Sequence, residues 1–230
     1  MAQIPLALKL PHHGTLDTFV TGPNAAALEH VRAVAAGGRA DAVWLTGPPA
    51  TGKSHLLGGA CRAASDAGLR PMYIAVDPAL DPAMLRELDA VDLLALDDVH
   101  RAAGRADWER ALFVALDSRL QSGGLLLAAD RAPRDCAFDL PDLESRATAA
   151  AVYRLGALEN EDLAVALTRH AAQRGFSIDE PAASFLLQRV GRDLALLLQW
   201  LDRIDRFALA RQRRITIPLI REVIAASARE

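Results

Sequence analysis

Residues 47–54, Gly-Pro-Pro-Ala-Thr-Gly-Lys-Ser, combine glycines, a lysine and a hydroxyl at the spacing G-x-x-x-x-G-K-[ST]. Glycines let backbone N–H groups curl around a phosphate, and a following helix N-terminus adds partial positive charge there. At this spacing Lys53 reaches the terminal phosphates and the Ser54 hydroxyl binds Mg²⁺. Lys53 and Lys9 are the lysines of a chain whose other cationic side chains are arginines. The pattern therefore predicts a phosphate-binding loop.

Two acids follow a second apolar run. Asp97 and Asp98 come directly after residues 93–96, Leu-Leu-Ala-Leu, which suit a buried strand. Asp97 at the strand end is expected to hold Mg²⁺ through water, and Asp98 to orient or deprotonate an attacking water. An acid pair after a strand is also a common way to begin a turn. The phosphate loop upstream favours the catalytic interpretation.

Asp130 and Arg146 each allow two interpretations from the residues alone. Asp130 follows the apolar run 125–129 and either faces the γ-phosphate or its water, or caps the turn that continues to Pro133. Arg146 precedes the last apolar run. It is either a solvated surface arginine or an arginine finger that faces the nucleotide of a neighbouring subunit.

The elements that must position these residues alternate strand-like and helical runs, which predicts an α/β domain with a parallel sheet and crossover helices. The predicted strands are 42–46, 72–76, 93–97, 125–129 and 151–155, and the predicted helices between them are Ser54–Ala67 and Trp108–Gln121. After Gly156 the pattern is helical only. We therefore expect a tail over residues 1–12, a nucleotide-binding domain over 13–156 and a small all-helical lid over 157–230.

The bulk composition narrows the function classes. The chain has 230 residues, 51% of them hydrophobic, and a formal net charge of −3, so no global charge favours wrapping a nucleic acid. Cys61 and Cys136 lack a metal-ligand spacing and suit reduced thiols. No apolar run approaches bilayer length and no signal peptide pattern is present. We expect a cytoplasmic protein that does not enter a membrane.

In combination these motifs resemble the AAA+ module of the replication initiator DnaA. The phosphate loop, the Asp97–Asp98 strand, Ala129-Asp130-Arg131-Ala132-Pro133 and Ser145-Arg146 all fit it, and a helical lid follows. Residues 15–24, Thr-Leu-Asp-Thr-Phe-Val-Thr-Gly-Pro-Asn, are similar to that family's adenine-pocket segment, T-F-D-x-F-V-x-G-x-x-N. The resemblance spans residues 14–226 and implies a P-loop AAA+ nucleotide-binding domain with a lid.

The resemblance also implies roles for individual residues. ADP or ATP would be held by Phe19, Val20, Gly47, Pro48, Pro49, Ala50, Thr51, Gly52, Lys53, Ser54, His55, Asp130 and Arg192. Mg²⁺ would be held by Ser54 and Asp97, and Arg146 matches the family's arginine finger. One position departs from the pattern, because Ala195 stands where the family places a lid arginine that contacts the phosphates. Arg192, one turn earlier, is a candidate to replace that arginine. Because Ala195 cannot make the phosphate contact, we expect ATP turnover by this chain alone to be weak or absent.

The shortened form resembles the regulatory-inactivator members of the DnaA/Hda family. We expect no DNA-binding domain after the lid, no helicase-recruiting domain before the module, and no extra helix for single-stranded DNA ahead of Asp97. The tail residues Gln3, Ile4, Leu6 and Leu8 are similar to the sliding-clamp-binding motif Q-L-[SP]-L-x-L, whose alternative is a tail packed on its own domain.

The implied function is negative regulation of replication initiation. The partners would be DnaA and the DNA polymerase III sliding clamp, with DNA reached through the clamp and self-association left open. In this mechanism the clamp-docked chain promotes hydrolysis of ATP bound to DnaA, and Arg146 acts in trans. Two alternatives stay open: a helicase-loader ATPase, and a clamp-tethered adaptor whose nucleotide is structural.

Overall fold

A computed structural model describes residues 14–37, 41–86, 88 and 90–227. The predicted tail, and with it Gln3, Ile4, Leu6 and Leu8, lies outside the described residues. The chain divides into two compact units, and the first ends at Gly156 while the second begins at Ala157. The loop residues Pro49–Thr51 are not part of the first unit.

The first unit contains a five-stranded parallel sheet in the order β2-β3-β4-β1-β5. Its strands are β1 (Asp41–Thr46), β2 (Pro71–Ala75), β3 (Leu93–Asp97), β4 (Gly124–Ala128) and β5 (Ala151–Arg154). Every residue of β3 and β4 is buried. Continuous burial explains why both read as unbroken apolar runs, because helices cover the two faces of such a sheet. The predicted α/β class with a parallel sheet is confirmed.

In the described part of this unit, four α-helices flank the sheet: α1 (Ala25–Ala35), α2 (Lys53–Asp66), α3 (Ala106–Ser122) and α4 (Pro141–Ala147). The sequence predicted α2 and α3 to within two residues at each end, and it did not predict α1 or α4. The helix α1 is alanine-rich and uncapped by a side chain, and α4 is only seven residues long. Helices with such weak start signals take their stability from packing, which the local pattern does not show.

Two apolar clusters lie on opposite faces of the sheet. One contains Trp44 and Trp108 and packs α3 and α4 against the strands. The other contains Val31, Leu56 and Leu57 and packs α1 and α2 against the opposite face. Side chains of successive strand residues point to opposite faces, so a single buried strand contributes to both clusters. The helix after the phosphate loop is therefore fixed by burial.

The second unit is all-helical, as the sequence predicts. It contains α5 (Asn160–Gln173), α6 (Glu180–Val190), α7 (Leu194–Ala210) and α8 (Ile217–Ser227) around one apolar cluster. Asp179 caps α6 by accepting a hydrogen bond from the Ala182 amide, and Asp193 caps α7 by accepting one from the Leu196 amide. Across the described part of the chain, no helix combines the length and the apolar character needed to cross a bilayer.

Candidate functional site

The phosphate loop connects β1 to α2 with an irregular backbone. Three of its residues have positive φ: Gly47 at 144°, Ala50 at 60° and Gly52 at 94°. Glycine adopts such angles freely, and an alanine does so at a cost of about 1–2 kcal/mol. The turn ends at Lys53, the first residue of α2, so the loop leads into a helix N-terminus. This backbone has the shape that an anion-binding loop requires.

Lys53 is the cation of this loop. Its ammonium donates to the carbonyl oxygens of Gly47 (2.7 Å) and Pro48 (2.9 Å). Burial lowers the pKa of Lys53, and the charges of Asp97, Asp98 and Asp130 oppose that shift. The ends of β3 and β4 therefore bring three predicted site carboxylates into the electrostatic field of the lysine. A phosphate would exchange the two carbonyl acceptors for charged oxygens, which bind an ammonium more strongly.

Asp97 and Asp98 differ in environment although they are adjacent. Asp97 is 4% exposed, and its Oδ2 accepts a 2.7 Å hydrogen bond from the Tyr73 hydroxyl. Its Oδ1 accepts from the amide of Asp98 at 2.9 Å. Asp98 is half-buried and has φ of 54°, a left-handed conformation that aspartate tolerates better than most residues. The turn expected after the strand is thus present beside a carboxylate pair at the end of β3.

Asp130 follows β4 and pairs with its neighbour in sequence. Its two oxygens accept from the Arg131 guanidinium at 2.7 and 2.9 Å. Mainly because of these bonds, the pKa of Asp130 lies below its usual range. The Asp130 amide donates to Nδ1 of His100 at 3.4 Å. Asp130 therefore makes turn contacts and also contributes to the field at Lys53, and its role toward a nucleotide stays a prediction.

The segment from Thr15 to Val20 lies against the phosphate loop. Phe19 is 6% exposed, and a Cβ added at Gly52 would lie 2.5 Å from its ring. The same ring meets His55 edge-on, with centroids 5.5 Å apart. His55 donates from Nε2 to the Thr15 carbonyl oxygen at 3.0 Å, and burial lowers its pKa. Phe19 and His55, both predicted as nucleotide ligands, thus meet where this segment packs on α2, and Val20 follows Phe19 in the same segment.

Arg146 belongs to a separate cluster on α3 and α4. Its guanidinium pairs with Asp117 at 2.7 Å, and the two side chains are 49% and 35% exposed. Exposed pairs of this kind contribute only about 0–1 kcal/mol, so the arginine can leave Asp117 for another anion. Glu109, 1% exposed, accepts from the amides of Asp139 and Leu140 and so fixes the start of α4.

Arg192 lies in the lid, in the turn between α6 and α7. It lines a groove of about 1110 Å³ between α5 and α6. Ala195 is the second residue of α7 and carries no polar group at the position where the resemblance expects an arginine. The contribution of Arg192 to nucleotide binding stays a prediction.

The donors at the loop fit a magnesium site in which phosphates and water supply ligands in addition to protein side chains. Among the described residues there is no cluster of three or more His, Cys, Asp or Glu side chains able to hold a metal. Mg²⁺ in nucleotide sites is commonly bound by one or two side-chain oxygens together with substrate phosphates and water. The Asp97 carboxylate and the Ser54 hydroxyl meet that requirement.

Sequence reasoning missed four side chains that organise the site. These are Tyr73, His100, Glu109 and Asp117. Tyr73 carried a usable signal, because it is a polar-tipped residue within a predicted strand, three positions before that predicted strand ends. The other three lie on a turn or a helix, and only the fold shows which residues they contact.

Comparison with known proteins agrees with this geometry. The family model described as "Hda, lid domain" matches residues 160–224, a little over a quarter of the chain. Domain III of the replication initiation protein DnaA from Thermotoga maritima has a TM-score of 0.78 at 21% identity, covering 97% of this chain and 98% of that chain. AMPPCP-bound DnaA from Aquifex aeolicus has a TM-score of 0.67 at 23% identity, covering 86% and 66%.

A more distant motor shares the architecture. The RuvB Holliday junction branch migration motor of Thermotoga maritima has a TM-score of 0.69 at 18% identity, covering 95% of this chain and 73% of that chain. At such identities the likeness concerns the fold, while the lid match is specific to one family. Residues 160–224 thus match the lid of the Hda family, and the chain shares the fold of the DnaA and RuvB structures.

Proposed function

We propose that this chain binds ADP or ATP with Mg²⁺ and acts as a negative regulator of replication initiation. Docked on the DNA-loaded sliding clamp, it would promote hydrolysis of the ATP bound to DnaA. The observation that carries the proposal is that the phosphate-binding groups and the candidate arginine finger lie in separate clusters. A complete phosphate loop holds Lys53 in the field of three carboxylates, and a half-exposed arginine, Arg146, pairs elsewhere with Asp117.

The loop residues would hold the nucleotide. Backbone N–H groups of the non-proline residues among 47–54 receive the phosphates, and Lys53 exchanges its two carbonyl acceptors for phosphate oxygens. Mg²⁺ supplies charge neutralisation at the phosphates, and Ser54 and Asp97 would hold it. Phe19 and Val20 would line the base side. AMPPCP bound to the similar Aquifex aeolicus DnaA supports nucleotide binding in this fold.

Arg146 would act on a partner's nucleotide. Its guanidinium is half-exposed, which leaves it accessible to the phosphates of a partner's nucleotide. An arginine finger stabilises the charge that develops in phosphoryl transfer and contributes roughly 10³–10⁵ in rate. The partner is DnaA on this proposal, which rests on the family resemblance of the lid and of Ser145-Arg146.

The tail would supply the clamp contact. The motif Gln3 to Leu8 lies outside the described residues, and its support is the similarity to the clamp-binding pattern. A short segment with two or three apolar anchors suits a shallow groove on a partner. DNA contact would be indirect, through the clamp. A DnaA structure with AMPPCP and single-stranded DNA has the same fold, but that DNA contact belongs to the other protein.

A reconstituted reaction tests the proposal. DnaA with radiolabelled ATP, clamp, DNA and this protein are mixed, and conversion to ADP is followed. We expect Arg146→Ala to remove the stimulation while nucleotide binding and clamp pull-down remain. Arg134→Ala is the control, because Arg134 is an exposed arginine of the turn before α4. Unchanged stimulation in Arg146→Ala would refute the mechanism.

Ala195 favours one alternative, a clamp-tethered adaptor whose nucleotide only stabilises its shape. Such an adaptor does not hydrolyse its nucleotide, so its lid needs no arginine in contact with the phosphates. Lys53→Ala separates the two functions: retained regulation by that variant supports the adaptor. A helicase-loader ATPase, by contrast, would hydrolyse ATP without DnaA, and deletion of residues 2–8 would leave its activity unchanged.

A further inference from the structure

Tyr73 and Asp97 form a buried polar pair, and the nucleotide mechanism above gives Tyr73 no role. The Tyr73 hydroxyl donates to Oδ2 of Asp97 at 2.7 Å. The two residues are 7% and 4% exposed, so water does not compete strongly for this bond. A buried hydrogen bond to a carboxylate is among the stronger neutral-to-charged contacts in proteins.

The strand register explains how the pair meets. Tyr73 on β2 stands opposite Ala95 on β3, and Ala75 stands opposite Asp97. Residues two apart on a strand share a face, so Tyr73 and Asp97 point to the same side of the sheet as diagonal neighbours. That side carries α2, the helix that begins with Lys53. The tyrosine side chain is long enough to reach Asp97 across this offset of two residues.

Packing alone does not require the hydroxyl of Tyr73. Tyr73 belongs to an apolar cluster in which a phenylalanine would bury the same ring. A phenylalanine would lack the hydroxyl that donates to Oδ2 of Asp97. The second oxygen of Asp97 is held by the Asp98 amide. Both oxygens of the carboxylate are therefore fixed in direction.

We propose that Tyr73 is a positioning residue that orients the Asp97 carboxylate toward a nucleotide-bound Mg²⁺. This inference rests on the proposed nucleotide binding. With Oδ2 engaged by Tyr73, the carboxylate presents its remaining lone pairs in one direction. Without the hydroxyl, Oδ2 loses its donor and only the Asp98 amide still holds the carboxylate, so the carboxylate can turn away from that direction.

The test is Tyr73→Phe, measured with fluorescent mant-ADP titrated in EDTA and again over a MgCl₂ series. We expect an unchanged affinity in EDTA, within about twofold, and a roughly five- to tenfold higher Mg²⁺ concentration at half-maximal effect, in line with the net contribution of one typical hydrogen bond. A loss of general packing would weaken both measurements, so the split between them is specific to positioning.

Tyr153→Phe is the matched control, because Tyr153 is the other tyrosine of the chain and its hydroxyl contacts Nδ1 of His30 at 3.0 Å. It should leave both titrations unchanged. A second variant adds a coupling test: in an Asp97→Asn background, Tyr73→Phe should cause no further change in the Mg²⁺ dependence.

The outcomes separate the two proposals. If the wild-type chain binds mant-ADP with a Mg²⁺ dependence that Tyr73→Phe shares, the positioning role is wrong and nucleotide binding stands. Equal losses in EDTA and in Mg²⁺ would also overturn it. If the wild-type chain shows no mant-ADP binding at all, the proposed function fails, and the positioning role fails with it.

Discussion

Replacing Glu109 by glutamine should destabilise the start of α4, the helix that contains Arg146. The Glu109 carboxylate is 1% exposed and lies on α3. Its Oε1 accepts from the amides of Gly104 (2.8 Å) and Asp139 (3.1 Å), and its Oε2 accepts from the amide of Leu140 (2.8 Å). Three backbone donors converge on one side chain that has no proton to give.

A glutamine has one acceptor oxygen and one donor group. If its oxygen takes the Oε1 position, the Leu140 amide loses its acceptor and meets a second donor. If its oxygen takes the Oε2 position, the amides of Gly104 and Asp139 lose theirs. At least one charge-assisted bond is lost in either case, at about 1.5–3 kcal/mol, and a buried donor is left unsatisfied. Relief of the buried charge offsets part of this, so we expect Glu109→Gln to lower the free energy of unfolding by about 2–3 kcal/mol.

Urea denaturation followed by circular dichroism measures this change, and amide hydrogen exchange locates it. Exchange should accelerate at Gly104, Asp139 or Leu140. The control is Glu159→Gln, because Glu159 is exposed and makes no side-chain capping bond at α5. A change below about 1 kcal/mol for Glu109→Gln, with exchange at these amides unaltered, would refute the assignment of the three bonds as a stabilising clamp.

Two further predictions concern the phosphate loop and the buried thiols. Gly52→Ala should weaken mant-ADP binding at least about tenfold, because φ of 94° is strained for alanine and the new Cβ would lie 2.5 Å from the Phe19 ring, whereas Gly68→Ala, with φ of 80° and open space around it, should leave binding intact. Burial raises the pKa of both Cys61 and Cys136 to about 12, so a thiol reagent at pH 8 should modify them only on unfolding. Because the folded state keeps these protons to higher pH than the unfolded state does, the free energy of unfolding should fall as pH rises from about 9 toward 12, and a flat profile between those values would contradict this.

Much of the site could be predicted because its signals are local. A glycine next to a lysine, a few residues after an apolar strand, specifies the loop at Gly52 and Lys53, since backbone conformation and charge there depend on neighbours in sequence. Acids after fully buried strands mark Asp97 and Asp130 for the same reason, because parallel strands end at one edge of the sheet. The helices α1 and α4 escaped prediction because their caps are weak, and packing supplies what the local sequence lacks.

The sequence by itself determined the phosphate loop, the succession of strands and helices, and the change to a helical lid after Gly156. Each follows from composition and period over a few residues. Only the tertiary structure decided that the Tyr73 hydroxyl holds Asp97, that His55 fastens the Thr15 segment to α2, and that Arg146 pairs with Asp117. These contacts join residues 24 to 40 positions apart. Strand order and helix packing set such contacts, and no short stretch of sequence contains both partners.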